Sequence, residues 1–324
     1  MSVQDDIPHV GLPGDRGEDG SVFRVKDVVR PLDSEASAGA GAALLGFASD
    51  EGVRRNFGRV GAARGPEVIR SFLGRLPVHR PVVLYDAGDV ACRDGNLTAA
   101  QERLAGKASA LLDQGLRPVI LGGGHEIAFG SFLGLADHLG ERFAATRVLV
   151  INLDAHFDLR QASAPNSGTP FRQIAELCEA RGGAFNYLCI GISELSNTTA
   201  LFERADRLGV EYWLDEQIRK TDPATLRRAL ANRLEAVDRV YLTIDLDTLP
   251  ASVAPGVSAP AACGISLEAV EDVIDEVLAS GKLALADIAE FNPDLDRDDH
   301  TARVAARLAY RLAFGSGQRL SAPL

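Results

Sequence analysis

The sequence predicts an α/β fold in which helices cover a parallel sheet. From about residue 43 onward, short apolar runs alternate with longer helical patterns, most of the runs are apolar throughout, and polar motifs directly follow several of them. Strands buried on both faces of a parallel sheet have such continuous apolar sequences, and their alternation with helices indicates βαβ units. The predicted strands are residues 43–47, 82–86, 118–121, 147–153, 187–191, 210–213, 239–244 and 283–289.

Capping residues mark the ends of the helices between these strands. Thr98 and Gln101 have the spacing of a capping box, and Gly115 is a suitable stop for the helix they would open. Asp222 followed by Pro223 predicts an N-cap and a first helical residue for a helix that runs to about residue 237.

Two further helices are predicted near the end of the chain. Ser266 can cap a helix that Gly281 ends. Residues 301–314 show an apolar stripe with a spacing of four, which is typical of a helix packed against a core. The stripe consists of Val304, Leu308 and Leu312.

Composition indicates one globular domain that does not bind nucleic acid or membranes. Residues 1–40 are rich in Gly, Asp, Ser and Pro and predict an extended or partly disordered segment, and residues 41–324 contain no linker and predict a single domain. The net charge of −11 disfavours phosphate-rich partners, and an anionic substrate would need local Arg or Lys. No signal peptide or membrane-length apolar run is evident, and the four cysteines form no C-x-x-C pair, so we expect a cytoplasmic protein without disulfides.

The first polar motif is Gly-Gly-Gly-His-Glu at residues 122–126, directly after a predicted strand. Three glycines permit a sharp turn and a close approach of another group. A phosphate-binding loop is the competing interpretation, but no Gly-Lys-Ser/Thr follows. His125 is therefore a candidate metal ligand, although a single histidine is more often structural.

The second and third motifs place carboxylates after two other strands. Asp154, His156 and Asp158 form a D-x-H-x-D pattern after residues 147–153, and Asp245 and Asp247 lie two apart after residues 239–244. Side chains at i and i+2 of an extended segment share a face, so the last two carboxylates can meet one ion or bridge two. A capped, solvated loop would explain one aspartate of each motif, but not the repeated pattern.

The three motifs together predict a two-metal site. They contribute four aspartates and two histidines, and the carboxyl ends of parallel strands are where ligands bind in such sheets. Unpaired buried carboxylates repel one another, and divalent cations remove that repulsion. The mixture of carboxylate and imidazole suits Mn²⁺, with Fe, Co, Ni or Zn as alternatives.

These motifs, in this order and spacing, resemble those of the arginase/agmatinase (ureohydrolase) family. The resemblance extends from about residue 45 to the C-terminus and includes residues 58–62, 65–66, 290–293 and 301–303. It implies a three-layer α/β/α fold with a central parallel sheet of about eight strands, two manganese ions per subunit, and assembly into trimers or hexamers.

The resemblance also implies a role for each ligand. One metal would be held by His125, Asp154, Asp158 and Asp245, and the other by Asp154, His156, Asp245 and Asp247, so that Asp154 and Asp245 bridge the two ions.

Within the family, the sequence is most similar to the formimidoylglutamase branch, which acts in histidine degradation. Arginases and agmatinases usually have Gly-Gly-Asp-His-Ser where this chain has residues 122–126, and the histidine that arginases use after the D-x-H-x-D loop is replaced here by Ser-Gly-Thr-Pro-Phe at residues 167–171. Arg160, two residues after a ligand, is placed to bind a substrate carboxylate, or else it pairs only with a nearby Asp. Asn166 and Ser167 are predicted to line the substrate loop.

The expected reaction is hydrolysis of N-formimidoyl-L-glutamate to L-glutamate and formamide by a metal-bridging hydroxide. Asp158 is the expected proton carrier, and the resemblance implies that Glu290 stabilises the cationic amidinium. The alternatives are an agmatinase, a guanidinobutyrase or another guanidino-acid ureohydrolase, and a non-catalytic homologue that binds metal. The predicted partner is a small amidine or guanidine that carries carboxylates.

Overall fold

Nine parallel strands form a single sheet in the computed structural model, which describes residues 23–32, 41–79 and 83–315. The strands within these residues are β1 Val29–Pro31, β2 Gly41–Ala48, β3 Leu84–Ala91, β4 Leu116–Gly122, β5 Val148–Leu153, β6 Tyr187–Ile192, β7 Glu211–Leu214, β8 Arg239–Asp245 and β9 Leu283–Ala289.

Helices connect the strands and cover both faces of the sheet. They are α1 Val25–Val28, α2 Glu51–Arg55, α3 Gly65–Gly74, α4 Leu97–Asp113, α5 Ile127–Leu139, α6 Pro170–Ala180, α7 Thr199–Arg207, α8 Asp215–Lys220, α9 Pro223–Glu235, α10 Leu267–Ala279 and α11 His300–Phe314. None of the helices in the described part of the chain is both long and apolar enough to cross a membrane.

All eight predicted strands are present, and the structure adds one. The additional strand β1 has only three residues and pairs with β3 at the edge of the sheet. Its residues are largely exposed and form no apolar run, so no strand was predicted there. Most of the predicted N-terminal segment, residues 1–22 and 33–40, lies outside the described residues, as does Val82 of the second predicted strand.

The predicted helix caps are confirmed in two places and wrong in one. Asp222 accepts a hydrogen bond from the Thr225 amide, and Ser266 caps α10 in the same way. Helix α4, however, begins one residue before Thr98, and Asn96 is its cap, accepting from the Ala99 amide at 3.2 Å. Asn is at least as good an N-cap as Thr, and starting at residue 97 buries Leu97 completely.

Two apolar cores lie on opposite faces of the sheet. Within β4, Val119 and Leu121 face one core and Ile120 faces the other, as the alternation of side chains along a strand requires. The predicted stripe of α11 packs into the first core through Val304, Leu308 and Leu312. The sheet is therefore covered on both sides, which explains its apolar strands.

The strand order is β1-β3-β2-β4-β9-β8-β5-β6-β7. Four adjacent central strands, β4, β9, β8 and β5, thus end side by side, and because all are parallel their carboxyl ends lie along the same edge. The polar motifs that follow these strands are brought together there, although they are far apart in sequence.

Candidate metal centre

The histidine of the first motif lies deep in the protein because its loop is packed tightly between strands. A Cβ on Gly123 would lie 1.8 Å from the carbonyl oxygen of Ser49, and one on Gly122 would lie 2.6 Å from that of Ile288. Only glycine fits this close approach to β2 and β9. The tight turn directs the buried side chain of His125 to the centre of the sheet edge.

The first group of candidate ligands surrounds Nδ1 of His125. This nitrogen lies 3.2 Å from Oδ2 of Asp154, 3.0 Å from Oδ2 of Asp158 and 3.1 Å from Oδ2 of Asp245. It is buried and has no hydrogen-bond partner among the described residues. Three carboxylate oxygens thus lie around one imidazole nitrogen without forming a hydrogen bond to it. This is the arrangement expected of ligands that surround a cation.

The second group contains Asp154, His156 and Asp247. Nδ1 of His156 lies 3.0 Å from Oδ2 of Asp247 and 3.5 Å from Oδ1 of Asp154. Asp154 thus offers one oxygen to each group, as a bridging ligand would. Asp245 joins only the first group in this structure, where its Oδ1 accepts the Asp247 amide at 2.9 Å, so its bridging role stays a prediction.

The electrostatics of these six residues fit two divalent cations. Four ionised aspartates carry −4, which two divalent cations would neutralise. Burial and the neighbouring charges of Asp247 and Asp154 raise the pKa of Asp245 well above its ordinary value. Burial alone would lower the pKa of His125, but the carboxylates around it raise that pKa well above normal. Without cations, the cluster holds protons instead.

Further buried polar residues inside the strands hold the ligands in place. Nδ2 of Asn152 donates to Oδ2 of Asp154 at 2.9 Å. Nε2 of His125 lies 3.0 Å from the Thr243 hydroxyl, and Asp287, whose carboxylate is fully buried, lies opposite Thr243 on the neighbouring strand β9. The Tyr241 hydroxyl donates to the same carboxylate at 2.6 Å. A partner on the second ring nitrogen fixes the orientation of a ligating histidine.

Sequence reasoning missed Asn152, Thr243 and Asp287. Each is a polar residue within an otherwise apolar, buried strand. That interruption is a signal that could have found them, because an isolated polar side chain in a buried strand needs a partner.

Asp158 and Glu290 both have a left-handed backbone, with φ of 48° and 67°. Non-glycine residues rarely adopt this conformation, and such strain clusters at functional sites. Oε1 of Glu290 accepts the backbone amide of His125 at 2.8 Å, so the side chain lies beside the first ligand group. Burial and the nearby Glu126 raise the pKa of Glu290 to about 8.

Glu126 stands where arginases and agmatinases usually have serine, and it faces away from the ligands. Its Oε1 accepts hydrogen bonds from the Gly52 amide and the Ser49 hydroxyl, both at 2.9 Å, and burial raises its pKa to about 7. It therefore ties the loop of His125 to helix α2.

A cavity of about 300 Å³ opens above the ligands. Its lining includes His125, His156, Asp158, Asp245, Asp247 and Glu290, which we call the floor. Arg160 and Ser167 line the cavity as well, and their contact with substrate stays a prediction. Asn166 does not line the cavity: its side-chain oxygen accepts the Gly168 amide at 2.9 Å and shapes the loop. Asn56 and Arg59, which sequence reasoning did not assign to the site, line the cavity as well.

The comparisons with known proteins agree with this geometry. Residues 40–315 match the sequence profile of the arginase family. The chain is 52% identical to formimidoylglutamase of Paraburkholderia xenovorans over 307 residues, covering 92% of this chain and 95% of that protein. It is 51% identical to formimidoylglutamase of Cupriavidus pinatubonensis, again over 92% of this chain and 95% of that protein.

Solved structures show the same fold. Formimidoylglutamase from Bacillus subtilis superposes with a TM-score of 0.80 at 25% identity, covering 94% of this chain and 95% of that one. Formiminoglutamase from Trypanosoma cruzi with Mn²⁺ gives a TM-score of 0.79 at 26% identity, covering 91% of this chain and 98% of that one.

Proposed function

The chain belongs to the arginase family, and from this premise we propose that it hydrolyses N-formimidoyl-L-glutamate to L-glutamate and formamide. The observation that carries the proposal is a cavity lined both by five of the six imidazole and carboxylate ligands and by an arginine, Arg160. The floor suits metal-assisted hydrolysis, and the arginine suits a substrate with carboxylates. The relatives named formimidoylglutamase support this choice of substrate.

Two divalent cations, which we propose to be Mn²⁺, would be held by His125, Asp154, Asp158 and Asp245 on one side and by Asp154, His156 and Asp247 on the other, with Asp245 as the second bridge. When bound, such a pair lowers the pKa of water and polarises the group under attack. Carboxylate and imidazole donors match the preference of Mn²⁺, and the T. cruzi relative was solved with this ion.

Within this site, Glu290 and Asp158 have distinct tasks. The Glu290 carboxylate lines the cavity and can pair with the cationic amidinium of the substrate. Asp158 can accept a proton from the water that adds to the formimidoyl carbon. The same carboxyl can then protonate the nitrogen of glutamate as the carbon–nitrogen bond breaks, which releases L-glutamate and leaves formamide.

Arg160 is proposed to recognise the substrate by charge. Its guanidinium makes no ion pair with any carboxylate in the described part of the chain, and its backbone amide is fixed by the Gly168 carbonyl at 2.8 Å. A guanidinium binds carboxylates strongly, whereas agmatine has no carboxylate to offer. Arg160 therefore favours formimidoylglutamate over agmatine.

The reaction would act in histidine degradation, in the cytoplasm, in a homo-oligomer that is a trimer or a hexamer. These finer proposals rest on the family resemblance. Light scattering coupled to size-exclusion chromatography measures the oligomer directly, and a monomeric mass would contradict that part of the proposal.

The reaction is tested by assaying the manganese-loaded protein with formimidoylglutamate, arginine, agmatine and 4-guanidinobutyrate. We expect formamide and glutamate from the first compound and little urea from the others. Urea as the main product would indicate a guanidino-acid ureohydrolase instead. A fully loaded protein that hydrolyses none of them would indicate a non-catalytic metal-binding homologue.

The role of Arg160 is tested by Arg160→Ala. We expect kcat/KM for formimidoylglutamate to fall about 10- to 100-fold, because a charge-assisted hydrogen bond to the substrate is lost. Arg54→Ala is the matched control, since Arg54 is exposed and pairs with Glu51 rather than lining the cavity. Equal losses in the two variants would contradict the assignment.

A further inference from the structure

Arg59 is a second arginine of the cavity wall, and it is held rigidly. Its Nε donates to the Ser258 carbonyl at 2.9 Å, its Nη2 donates to the Val257 carbonyl at 2.8 Å, and its backbone amide donates to the Ser258 hydroxyl at 2.8 Å. These contacts engage one edge of the guanidinium. Its Nη1 group makes no hydrogen bond with the described residues and stays available to a ligand.

Neither cavity arginine is neutralised by the protein. Within residues 23–32, 41–79 and 83–315, no carboxylate forms an ion pair with Arg59 or Arg160, whereas the nearby Arg54 and Arg55 both pair with Glu51. The two residues are held separately: the Arg59 guanidinium donates to the carbonyls of residues 257–258, and the Arg160 backbone amide donates to the Gly168 carbonyl. An acidic protein thus keeps two unpaired cations at one cavity.

We propose that Arg59 is a specificity-determining residue that binds one carboxylate of the substrate while Arg160 binds the other. This inference rests on the proposed function, because formimidoylglutamate carries two carboxylates in addition to its amidinium. The floor of the cavity takes the amidinium end, and the two arginines take one carboxylate each. The preferred substrate class is therefore an amidine of a dicarboxylic amino acid.

The carbonyl contacts of Arg59 strengthen the inference. A purely structural arginine would serve to tie residues 58–60 to residues 257–258, and it would not need to line the cavity. Here the same contacts immobilise the guanidinium before a ligand arrives, so that less side-chain entropy is lost on binding. The Arg160 side chain lies close against Gly168, where a Cβ would be only 2.8 Å from its Cδ.

The experiment uses three substrates and two variants. N-formimidoyl-L-glutamate has both carboxylates, N-formimidoyl-4-aminobutyrate has only the side-chain carboxylate, and N-formimidoyl-2-aminobutyrate has only the α-carboxylate. Arg59→Gln and Arg160→Gln remove the charge and keep a hydrogen-bond donor. Arg54→Gln is the control, since the exposed Arg54 pairs with Glu51. Metal content is measured for each protein.

We expect each cavity variant to lower kcat/KM for formimidoylglutamate about 10- to 100-fold, with unchanged metal content. For one of the two single-carboxylate analogues, each variant should lower kcat/KM by less than about threefold. This is the analogue that lacks the carboxylate bound by the substituted arginine. The analogue whose kcat/KM is unaffected should differ between Arg59→Gln and Arg160→Gln. The Arg54 control should stay near wild type with all three substrates.

Two outcomes would overturn the inference. If Arg59→Gln lowers activity equally for all three substrates, Arg59 supports the wall without binding a carboxylate. If the two variants leave kcat/KM unchanged for the same analogue, both arginines bind the same carboxylate. The proposed function fails separately, when the unmodified, metal-loaded protein does not hydrolyse formimidoylglutamate at all.

Discussion

The floor and the rim of the cavity differ in burial and in charge. The floor consists of buried or partly buried aspartates and histidines, several of which lie near 3 Å from one another, supported by polar residues within the strands. The rim carries the exposed arginines Arg59 and Arg160 on loops. The charge of the floor suits cations, and we expect substitutions in the rim to leave metal binding unchanged.

Asp245→Asn tests the floor and should have the largest effect. Asn keeps the shape of Asp but removes the charge and one ligand of the metal group. Because the metals contribute several kcal/mol of transition-state stabilisation, we expect activity to fall more than about 1,000-fold, together with the bound metal. Metal analysis and steady-state kinetics measure both. Asp298→Asn, at an exposed position outside the site, is the matched control.

Removal of the cations by a chelator should destabilise the fold. Cations that bind only the folded protein stabilise it, and binding at about 1,000 times Kd contributes about 4 kcal/mol. Calorimetry should show a lower midpoint of thermal unfolding, which returns when Mn²⁺ is restored. A midpoint that is indifferent to chelation in the wild type would contradict two-metal occupancy of this floor.

Asp287→Asn and Thr243→Val test the support of the floor. Both changes loosen the fixed orientation of His125, so we expect metal affinity to fall about 10- to 100-fold while the ligands themselves remain. Titration with Mn²⁺ measures the affinity. Thr248→Val is the matched control, because the buried Thr248 hydroxyl has no hydrogen-bond partner among the described residues. An equal loss in the control would show that His125 orientation is not the cause.

Gly168→Ala tests the rim and should have the smallest effect. The added Cβ would lie 2.8 Å from Cδ of Arg160, so that side chain must move. We expect KM to rise about fivefold, equivalent to about 1 kcal/mol, with no change in metal affinity. Gly106→Ala, where a Cβ meets nothing within 4 Å, should leave KM unchanged. Loss of metal in Gly168→Ala would show that floor and rim are not independent.

The floor was more predictable from the sequence than the rim. Asp154, His156, Asp158, Asp245 and Asp247 follow apolar strands in compact motifs, so their types and spacing indicate metal binding directly. The position of β9 between β4 and β8 is not encoded in any local pattern, yet it brings Glu290 to the amide of His125. Strand order depends on long-range packing, which periodicity does not report.

The rim was less predictable because exposed loop arginines are common and their partners lie far away in sequence. Arg59 contacts residues 198 and 199 positions away, and nothing near Arg59 indicates these contacts. Helix α4 shows a local limit as well, because Asn96 and Thr98 are both acceptable caps and only the burial of Leu97 decides between them. The short edge strand β1 has no apolar pattern to detect.

The hydrogen bond between the His125 amide and Glu290 joins residues that are 165 positions apart. During translation, His125 is therefore synthesised long before Glu290. At about 5–20 residues per second, that interval lasts roughly 8–33 seconds. Because β9, which ends at Ala289, lies between β4 and β8, the nascent chain cannot assemble the complete centre during this time, and the two ligand groups come together only late in synthesis.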